Sequence, residues 1–482
     1  MTAAGEWAAR RVVVAGAAVS GLAVARAMLD RGARVLVVDA RDDDPLRAQL
    51  APLVAAGAEQ RLGDADSPVD ADLVVTSPGW RPDQPMLAAA KRDGIEVIGE
   101  PELAWRLRPW HADRGPTPWV AVTGTNGKTT TVGMVESILR AAGYRTVAAG
   151  NVGLPLIEAV LDPDPYDVIA VELSSFQLHW SRDLAPEVGV VLNVAEDHLD
   201  WHGTMDSYAA TKAAVWRHGG CQPYNADDPL VTRLARDAVE DPHPFTVGIP
   251  QAGGLGVEAG WIVDLMSGWA PDTETEPPRA ERGIRLLDLA ELAVTGPHNV
   301  SNAVAAAATS RVFGLGRPVP WRAVGEGLRS YRPGHHRNEV VAQAAGVTWV
   351  DDSKATNPHA AAASLSAYPS VVWIAGGLLK GADVDPLVAE QAARLRGVVL
   401  IGRDRSAIAQ ALARHAADVP VVTVETDETS GMDEAVRAAA ELAQPGDTVL
   451  LAPAAASMDM FRDYAERGDR FAAAARRAAD AR

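Results

Sequence analysis

The run WVAVTGTNGKTTTVGMVESILRAAG, residues 119–143, constrains this chain more than any other segment. An apolar stretch leads straight into a glycine-bearing loop, and an amphipathic segment follows. Amides of such a loop can surround phosphate oxygens while the N-terminus of the next helix adds positive potential. Strand, phosphate loop and helix together predict an α/β nucleotide-binding unit. Within GTNGKTT, Lys128 would neutralise the outer phosphates, and Thr129 or Thr130 would offer a hydroxyl to Mg²⁺. The full GxxxxGK[ST] spacing is not met, because its first position is Val122.

Lysine usage points to the same place. The chain has five lysines against forty arginines, and only Lys91 lies in an ordinary amphipathic stretch. Lys128, Lys212, Lys354 and Lys380 sit in GTNGKTT, SYAATKAAVW, DDSKATNPH and GGLLKGAD. A compact ammonium fits between phosphate oxygens, and its amine can be modified, neither of which suits Arg.

At 482 residues the chain exceeds one hydrophobic core, and about three α/β domains are expected. A net charge of −18 disfavours nucleic acid and membrane surfaces as partners, though not a nucleotide in a locally basic pocket. The single cysteine, Cys221, excludes a disulfide framework and a Cys-rich metal site, and reads as a packing thiol. No segment offers about 20 uncharged apolar residues, so a soluble cytoplasmic protein is expected.

Residues 11–39 read strand, turn GAAVSG, helix, strand, ending at Asp39. Ala18 replaces the middle glycine of GxGxxG and crowds a dinucleotide pyrophosphate, which argues against NAD. Asp39 and the turn Ser77-Pro78-Gly79 are candidates for a polar ligand. Linker-like breaks at PWHADRGPTP and YRPGHHRNE give expected domains at 1–112, 113–332 and 333–482. Residues 222–290 are uninformative, and APDTETEPPRAERG within them reads as an exposed loop. Glu172, at the end of YDVIAVELSS, could meet Mg²⁺ beside ATP, and His198 and Lys212 could lie near a second ion. Asp197, Asp200 and His202 are weaker candidates, with solvated or capping roles expected. Unmodified Lys ligates Mg²⁺ poorly, whereas a carbamylated Lys212 would present a carboxylate-like group.

In their order, GTNGKTT, GNVG, ELSSFQL, NVAEDHLDWHG, YAATK, GPHNVSNAVAA, PGHHRNE, DDSKATN, GGLLKGAD and APAAASMDMFRDYAERGDRF resemble the Mur ligase family over nearly the whole chain. The resemblance implies an α/β, three-domain architecture: an N-terminal Rossmann-like UDP-binding domain, a central P-loop ATPase domain and a C-terminal Rossmann-like domain that closes over the site. ELSSFQL and APAAASMDMF favour the member that adds D-glutamate to UDP-N-acetylmuramoyl-L-alanine through an acyl phosphate, in peptidoglycan precursor synthesis. It further implies that Ser20, Asp39, Ala40, Arg41, Ser77, Pro78 and Gly79 lie near UDP, with Asn151 and His198 near the muramoyl part. Gly124, Thr125, Asn126, Gly127, Lys128, Thr129 and Thr130 would hold the ATP phosphates. Asn299 and Asn302 would face adenine, and Arg337 and Asp352 the phosphates and ribose. Lys354, Thr356, Lys380, Ser457 and Tyr464 would surround D-glutamate, with Tyr464 where the family often has Phe. Thr129, Glu172, His198 and carbamylated Lys212 would serve two Mg²⁺ ions, with Lys128, His198 and Lys212 catalytic in a monomer. The rival readings are another ATP-dependent amide ligase, either a Mur paralogue or a folylpolyglutamate synthase-like enzyme, and a P-loop switch or interaction protein.

Overall fold

Near-continuous runs of Val, Ile, Leu and Ala build the central strands, as expected where a parallel sheet is covered on both faces. The computed structural model describes residues 7–113, 115–217, 219–266, 283–294, 296–314, 319–426 and 428–480. It separates into two units: residues 1–194, 201–292 and 301–331 in the first, and 195–200, 293–300 and 332–482 in the second.

The first unit holds two large sheets. In the first, β1 (Arg11–Ala15), β2 (Arg34–Asp39), β3 (Glu59–Leu62), β4 (Leu73–Thr76) and β5 (Glu96–Gly99) lie in the order β3-β2-β1-β4-β5. All its pairings are parallel. The strand order reverses at β1, which opens a ligand crevice beyond the carboxyl ends of β1 and β4. The expected linker forms a small ribbon, β6 (Trp110–His111) against β7 (Gly115–Pro116).

The second sheet contains β8 (Trp119–Thr123), β9 (Thr146–Gly150), β10 (Val168–Glu172), β11 (Val188–Val191), β12 (Cys221–Asn225), β13 (Asp241–Phe245), β14 (Leu255–Glu258), β15 (Trp261–Asp264) and β16 (Ile284–Asp288). Their order is β16-β15-β14-β13-β12-β11-β8-β10-β9. The strands from β9 to β14 are parallel, and β15 and β16 add an antiparallel edge. Residues 222–290 therefore extend the sheet that carries the phosphate loop, and their APDTETEPPRAERG stretch, except Gly283, lies outside the described residues. A buried ion pair ties this extension to the helix Pro297–Phe313: Arg311 Nε lies 3.0 Å from Asp264 Oδ2.

Helix Glu100–Leu107 joins the two sheets. Its Leu103, Ala104 and Leu107 share one apolar core with Trp119, Ile157 and Val160. Two buried carboxylates satisfy backbone donors across this seam. Glu100 accepts from the Ile157 amide at 2.7 Å, and Glu102 accepts from the amides of Arg182, Asp183 and Leu184. Lys91, read from sequence as ordinary, has its ammonium 4.3 Å from the Trp180 ring centre, a cation–π contact across the same seam.

In the second unit, β17 (Glu339–Ala344), β18 (Val347–Asp351), β19 (Val371–Gly376), β20 (Leu395–Ile401), β21 (Val421–Thr423) and β22 (Thr448–Leu451) take the order β17-β18-β22-β19-β20-β21. Only β17 is antiparallel to its neighbour. Among the described residues no helix is long and apolar enough to cross a membrane.

Candidate functional site

The phosphate loop leaves the carboxyl end of β8 and enters helix Lys128–Ala141. Gly127 caps that helix with φ +83°, and a Cβ there would lie 2.3 Å from Asn302 Oδ1. Glycine is required at this position by conformation and by space. Asn302 also accepts from the Thr131 hydroxyl at 3.3 Å, so it packs beneath the loop. Asn193 holds the loop from the side: its Oδ1 accepts from the Asn126 amide at 2.9 Å, and its Nδ2 donates to the Asn126 carbonyl at 3.1 Å. The Lys128 ammonium donates to the carbonyls of Gly124 and Thr125, at 3.0 and 2.8 Å. Thr130 is buried, and Thr129 is partly exposed.

Glu172 ends β10, the strand beside β8. The site around it is set by Gly150, where a Cβ would meet the Glu172 carbonyl at 2.3 Å. Asn151 donates from its amide to that carbonyl at 2.9 Å and from Nδ2 to Glu172 Oε1 at 3.0 Å. Oε2 of Glu172 is buried and has no hydrogen-bond partner among the described residues. A buried carboxylate oxygen left unpaired is costly, and a bound cation would satisfy it. Lys212 is 1% exposed and donates to the Gly124 carbonyl at 2.7 Å, with its ammonium 4.4 Å from the Tyr208 ring centre. Lys128 and Lys212 thus both bond to Gly124. His202 is neither solvated nor a cap: it is buried, bonds Ser175 Oγ at 2.9 Å and stacks on Phe176.

At the first sheet the predicted residues gather at adjacent strand ends. Gly16 follows β1, and a Cβ there would lie 2.5 Å from Ser77 Oγ, which follows β4. Asp39 ends β2 and accepts from the amides of Ala17 and Arg41, at 2.8 and 2.9 Å, and from Arg41 Nε at 3.2 Å. Burial pushes its carboxyl up, but the Arg41 side chain and the two amides outweigh that and hold it below the usual carboxylate range. Asp39 therefore organises the turn as well as facing the crevice. Ala18 is exposed and Val19 is 64% exposed at this mouth. Ser20, Ala40, Pro78 and Gly79 border the same crevice in sequence, and none of them is buried.

The second unit carries the other candidates. Glu196, Asp197, His198, Thr356, Asn357 and Lys380 help line a cleft of about 110 Å³. His198, with φ +55°, has Nε2 3.6 Å from Asp197 Oδ2. Asn357, which sequence reading did not single out, caps helix Pro358–Leu365 and donates from Nδ2 to Asp197 at 3.4 Å. Its signal was visible as an Asn directly before a Pro-led helix. Lys380 sits at φ +53° in a glycine-flanked turn. Lys354 and Tyr464 form their own contact, Nζ to hydroxyl at 3.3 Å and 4.8 Å to the ring centre. Asp352 accepts from Ser364 Oγ at 2.7 Å and from the Asn338 amide. Burial pushes its carboxyl up to about 6, against the pull of the Ser364 bond and the Arg337 charge. Ser457 is buried just before the exposed Met458. Asn299, in helix Pro297–Phe313, is 8% exposed.

Two further residues escaped sequence reading. Arg467 is 1% exposed and donates to Ser353 Oγ and to the carbonyls of Ser353 and Ala455. It ties the Asp351–Lys354 segment to the Ala454–Ser457 segment. His336 bonds Asp351 at 2.7 Å and precedes Arg337; the Asp351 bond raises its pKa against the effect of burial. Arg467 lies within the FRDYAERGDRF run, where nothing in the sequence sets it apart from the neighbouring arginines.

Three family models match the chain in order. They are a Mur ligase MurD-like N-terminal domain over residues 10–99, a Mur ligase middle domain over 122–310 and a Mur ligase glutamate ligase domain over 336–455. Among curated proteins, the UDP-N-acetylmuramoylalanine--D-glutamate ligase of Thermobifida fusca (strain YX) is 54% identical, covering 96% of this chain and 97% of that one. The protein of the same name from Mycobacterium avium (strain 104) is 48% identical, covering 97% and 96%. Of solved structures, UDP-N-acetylmuramate-alanine ligase MurC from Thermotoga maritima shares the fold at TM-score 0.58 and 19% identity, over 96% of this chain and 98% of that chain. E. coli FolC in complex with DHPP and ADP does so at TM-score 0.52 and 19% identity, over 78% and 93%.

Proposed function

The chain belongs to the Mur ligase family, and from that premise we propose that it joins D-glutamate to UDP-N-acetylmuramoyl-L-alanine, using ATP, in peptidoglycan precursor synthesis. The observation that carries this reading is full-length similarity to D-glutamate ligases, at 54% identity over 96% of the chain. Full-length coverage separates it from the folylpolyglutamate synthase-like alternative. The three matched segments also support domain boundaries near 112 and 332.

A carboxylate is a poor acyl donor. Transfer of the ATP γ-phosphoryl group to the L-alanine carboxylate gives an acyl phosphate and ADP. The D-glutamate amine then attacks the acyl carbon, the C–N bond forms, the C–O bond to phosphate breaks, and the amine loses a proton. Lys128 would trade its Gly124 and Thr125 carbonyl partners for phosphate oxygens, and the loop amides would hold the transferring group. Glu172, with its unpaired buried oxygen, and Thr129 fit Mg²⁺, which when bound offsets charge on the phosphates. Asn151 would keep Glu172 turned and meet the muramoyl part.

In this reading Lys212 would be carbamylated and, like His198, would offer a ligand to Mg²⁺. A carbamate retains one N–H, which leaves a donor for the Gly124 carbonyl that the ammonium now bonds. Carbon-13 NMR of protein equilibrated with labelled bicarbonate tests this directly: a carbamate resonance missing from Lys212→Ala is expected, and its absence from the parent protein refutes the modification. Asp39, Arg41, Ser20, Ala40 and Ser77-Pro78-Gly79 receive the uridine nucleotide. Asn299, Asn302, Arg337 and Asp352 attend the rest of ATP. Lys354, Lys380, Thr356, Ser457 and Tyr464 receive D-glutamate, with two ammonium groups opposite two carboxylates.

The deciding assay is ADP release with Mg²⁺, ATP and UDP-N-acetylmuramoyl-L-alanine. D-glutamate is compared with L-glutamate, L-lysine, meso-diaminopimelate and no amino acid. A D-glutamate requirement with an amide product of matching mass is expected. Equal release with another amino acid would reassign the acceptor.

A further inference from the structure

The lone cysteine does not stand alone in the fold. Cys221 and Asp241 are the first residues of β12 and β13 and face each other in register. His243 lies two residues after Asp241, on the same side of the sheet. Cys221 Sγ is 3.1 Å from Asp241 Oδ2, and His243 Nε2 is 3.5 Å from the same oxygen. One ligand atom from each residue lies within 4.8 Å of the others, the one such group of three among the described residues. With bond lengths of about 2.0–2.3 Å and tetrahedral angles, neighbouring ligand atoms around Zn²⁺ stand roughly 3.3–3.6 Å apart. The two spacings to Asp241, 3.1 and 3.5 Å, are already close to that.

The histidine carries the second observation. Its Nδ1 faces the Gly253 carbonyl at 2.9 Å, and a carbonyl can only accept, so Nδ1 bears hydrogen. That leaves Nε2, which is buried and lacks a hydrogen-bond partner among the described residues. In the neutral ring the Nε2 lone pair faces the Asp241 carboxylate oxygen at 3.5 Å, an arrangement that a shared cation would satisfy. An N–H of one ring nitrogen fixed on a backbone carbonyl is also how metal-binding histidines are oriented. Cys221 and His243 are half-buried and Asp241 is exposed, so an ion can reach them from solvent.

We propose that Cys221, Asp241 and His243 form a site for a Zn²⁺-class cation, with water completing a tetrahedron. The ion would displace the thiol proton to solvent. The site is separate from the phosphate loop: it lies at the amino ends of parallel strands, whereas that loop leaves the carboxyl end of β8. Thiolate and imidazole select a borderline-soft ion over Mg²⁺. Its effect would be to staple β12 to β13.

Because the chain has one cysteine, a thiolate signal reports on this site alone. Tag-free full-length protein, with excess Mg²⁺ to occupy oxygen-rich sites, is titrated with Co²⁺ and followed by near-ultraviolet absorption. A saturable thiolate-to-cobalt charge-transfer band at one equivalent is expected, displaced by Zn²⁺. His243→Ala should weaken Co²⁺ binding at least tenfold while circular dichroism stays unchanged. Absence of the band in the parent protein overturns the proposal, whether or not the variant folds. A band of unchanged affinity in folded His243→Ala also overturns it, because the thiol would then bind alone.

Discussion

A methyl group at position 127 would meet Asn302 Oδ1 at 2.3 Å and force an L-residue into φ +83°. The conformational cost alone is about 1–2 kcal/mol. Gly127→Ala should therefore weaken ATP binding at least tenfold by calorimetry, and an unchanged Kd would refute the loop's assignment. At Tyr464 two contributions can be separated. Tyr464→Phe removes the 3.3 Å bond to Lys354 but keeps the ring beneath the ammonium. That is worth about 0.5–1.5 kcal/mol, so KM for D-glutamate should rise less than about tenfold. Tyr464→Ala also loses the cation–π contact and should raise KM further. Equal damage in the two variants would assign the whole effect to the hydroxyl. At this scale the sequence was most legible where a residue borders a loop at the end of an apolar strand, as Lys128 and Glu172 do. Arg467 was not legible, because its value comes from joining segments that are adjacent only after folding.

Among elements, helix Glu100–Leu107 holds the clearest electrostatic consequence. Burial pushes the Glu100 carboxyl from its ordinary 4.5 up to about 7, against the pull of the Ile157 and Leu156 amides. Between those values the folded protein keeps a proton that the unfolded chain has released. This contribution to stability therefore falls as pH rises from 4.5 to about 7 and is level above. Its full span is on the order of 3 kcal/mol. Glu100→Gln retains an acceptor for Ile157 and has no proton to lose. Its advantage over the parent in urea unfolding should grow across that window, and a pH-independent difference would contradict the account. The strand–loop–helix elements were readable because long apolar runs end in glycine turns. The outer strands β12 to β16 were not: β12 and β13 carry Pro223, Pro242 and Pro244, which disguise strands. Their pairing is fixed by neighbours distant in sequence.

For the molecule as a whole, the two units predict two unfolding events. Lys128, Glu172 and Lys212 all belong to the first unit. Scanning calorimetry should show Mg²⁺–ATP raising one transition more than the other, and Lys128→Ala should abolish that selective shift. A single transition in all conditions would argue against independent units. The expected three domains map onto three sheets, yet the first two sheets share one unit. Sequence breaks mark where elements end; shared burial is set by side chains such as Leu103 and Trp119, which meet only in the fold.

Glu102 gives the seam a further meaning for anyone recombining these proteins. Its carboxylate already serves the Arg182, Asp183 and Leu184 amides and the Arg106 guanidinium. A chimera cut at the linker near residue 112 would separate the acid from three of its four donors. Grafting a foreign N-terminal domain onto this chain therefore requires transplanting the 180–184 loop with it, so the natural unit of exchange is discontinuous in the gene.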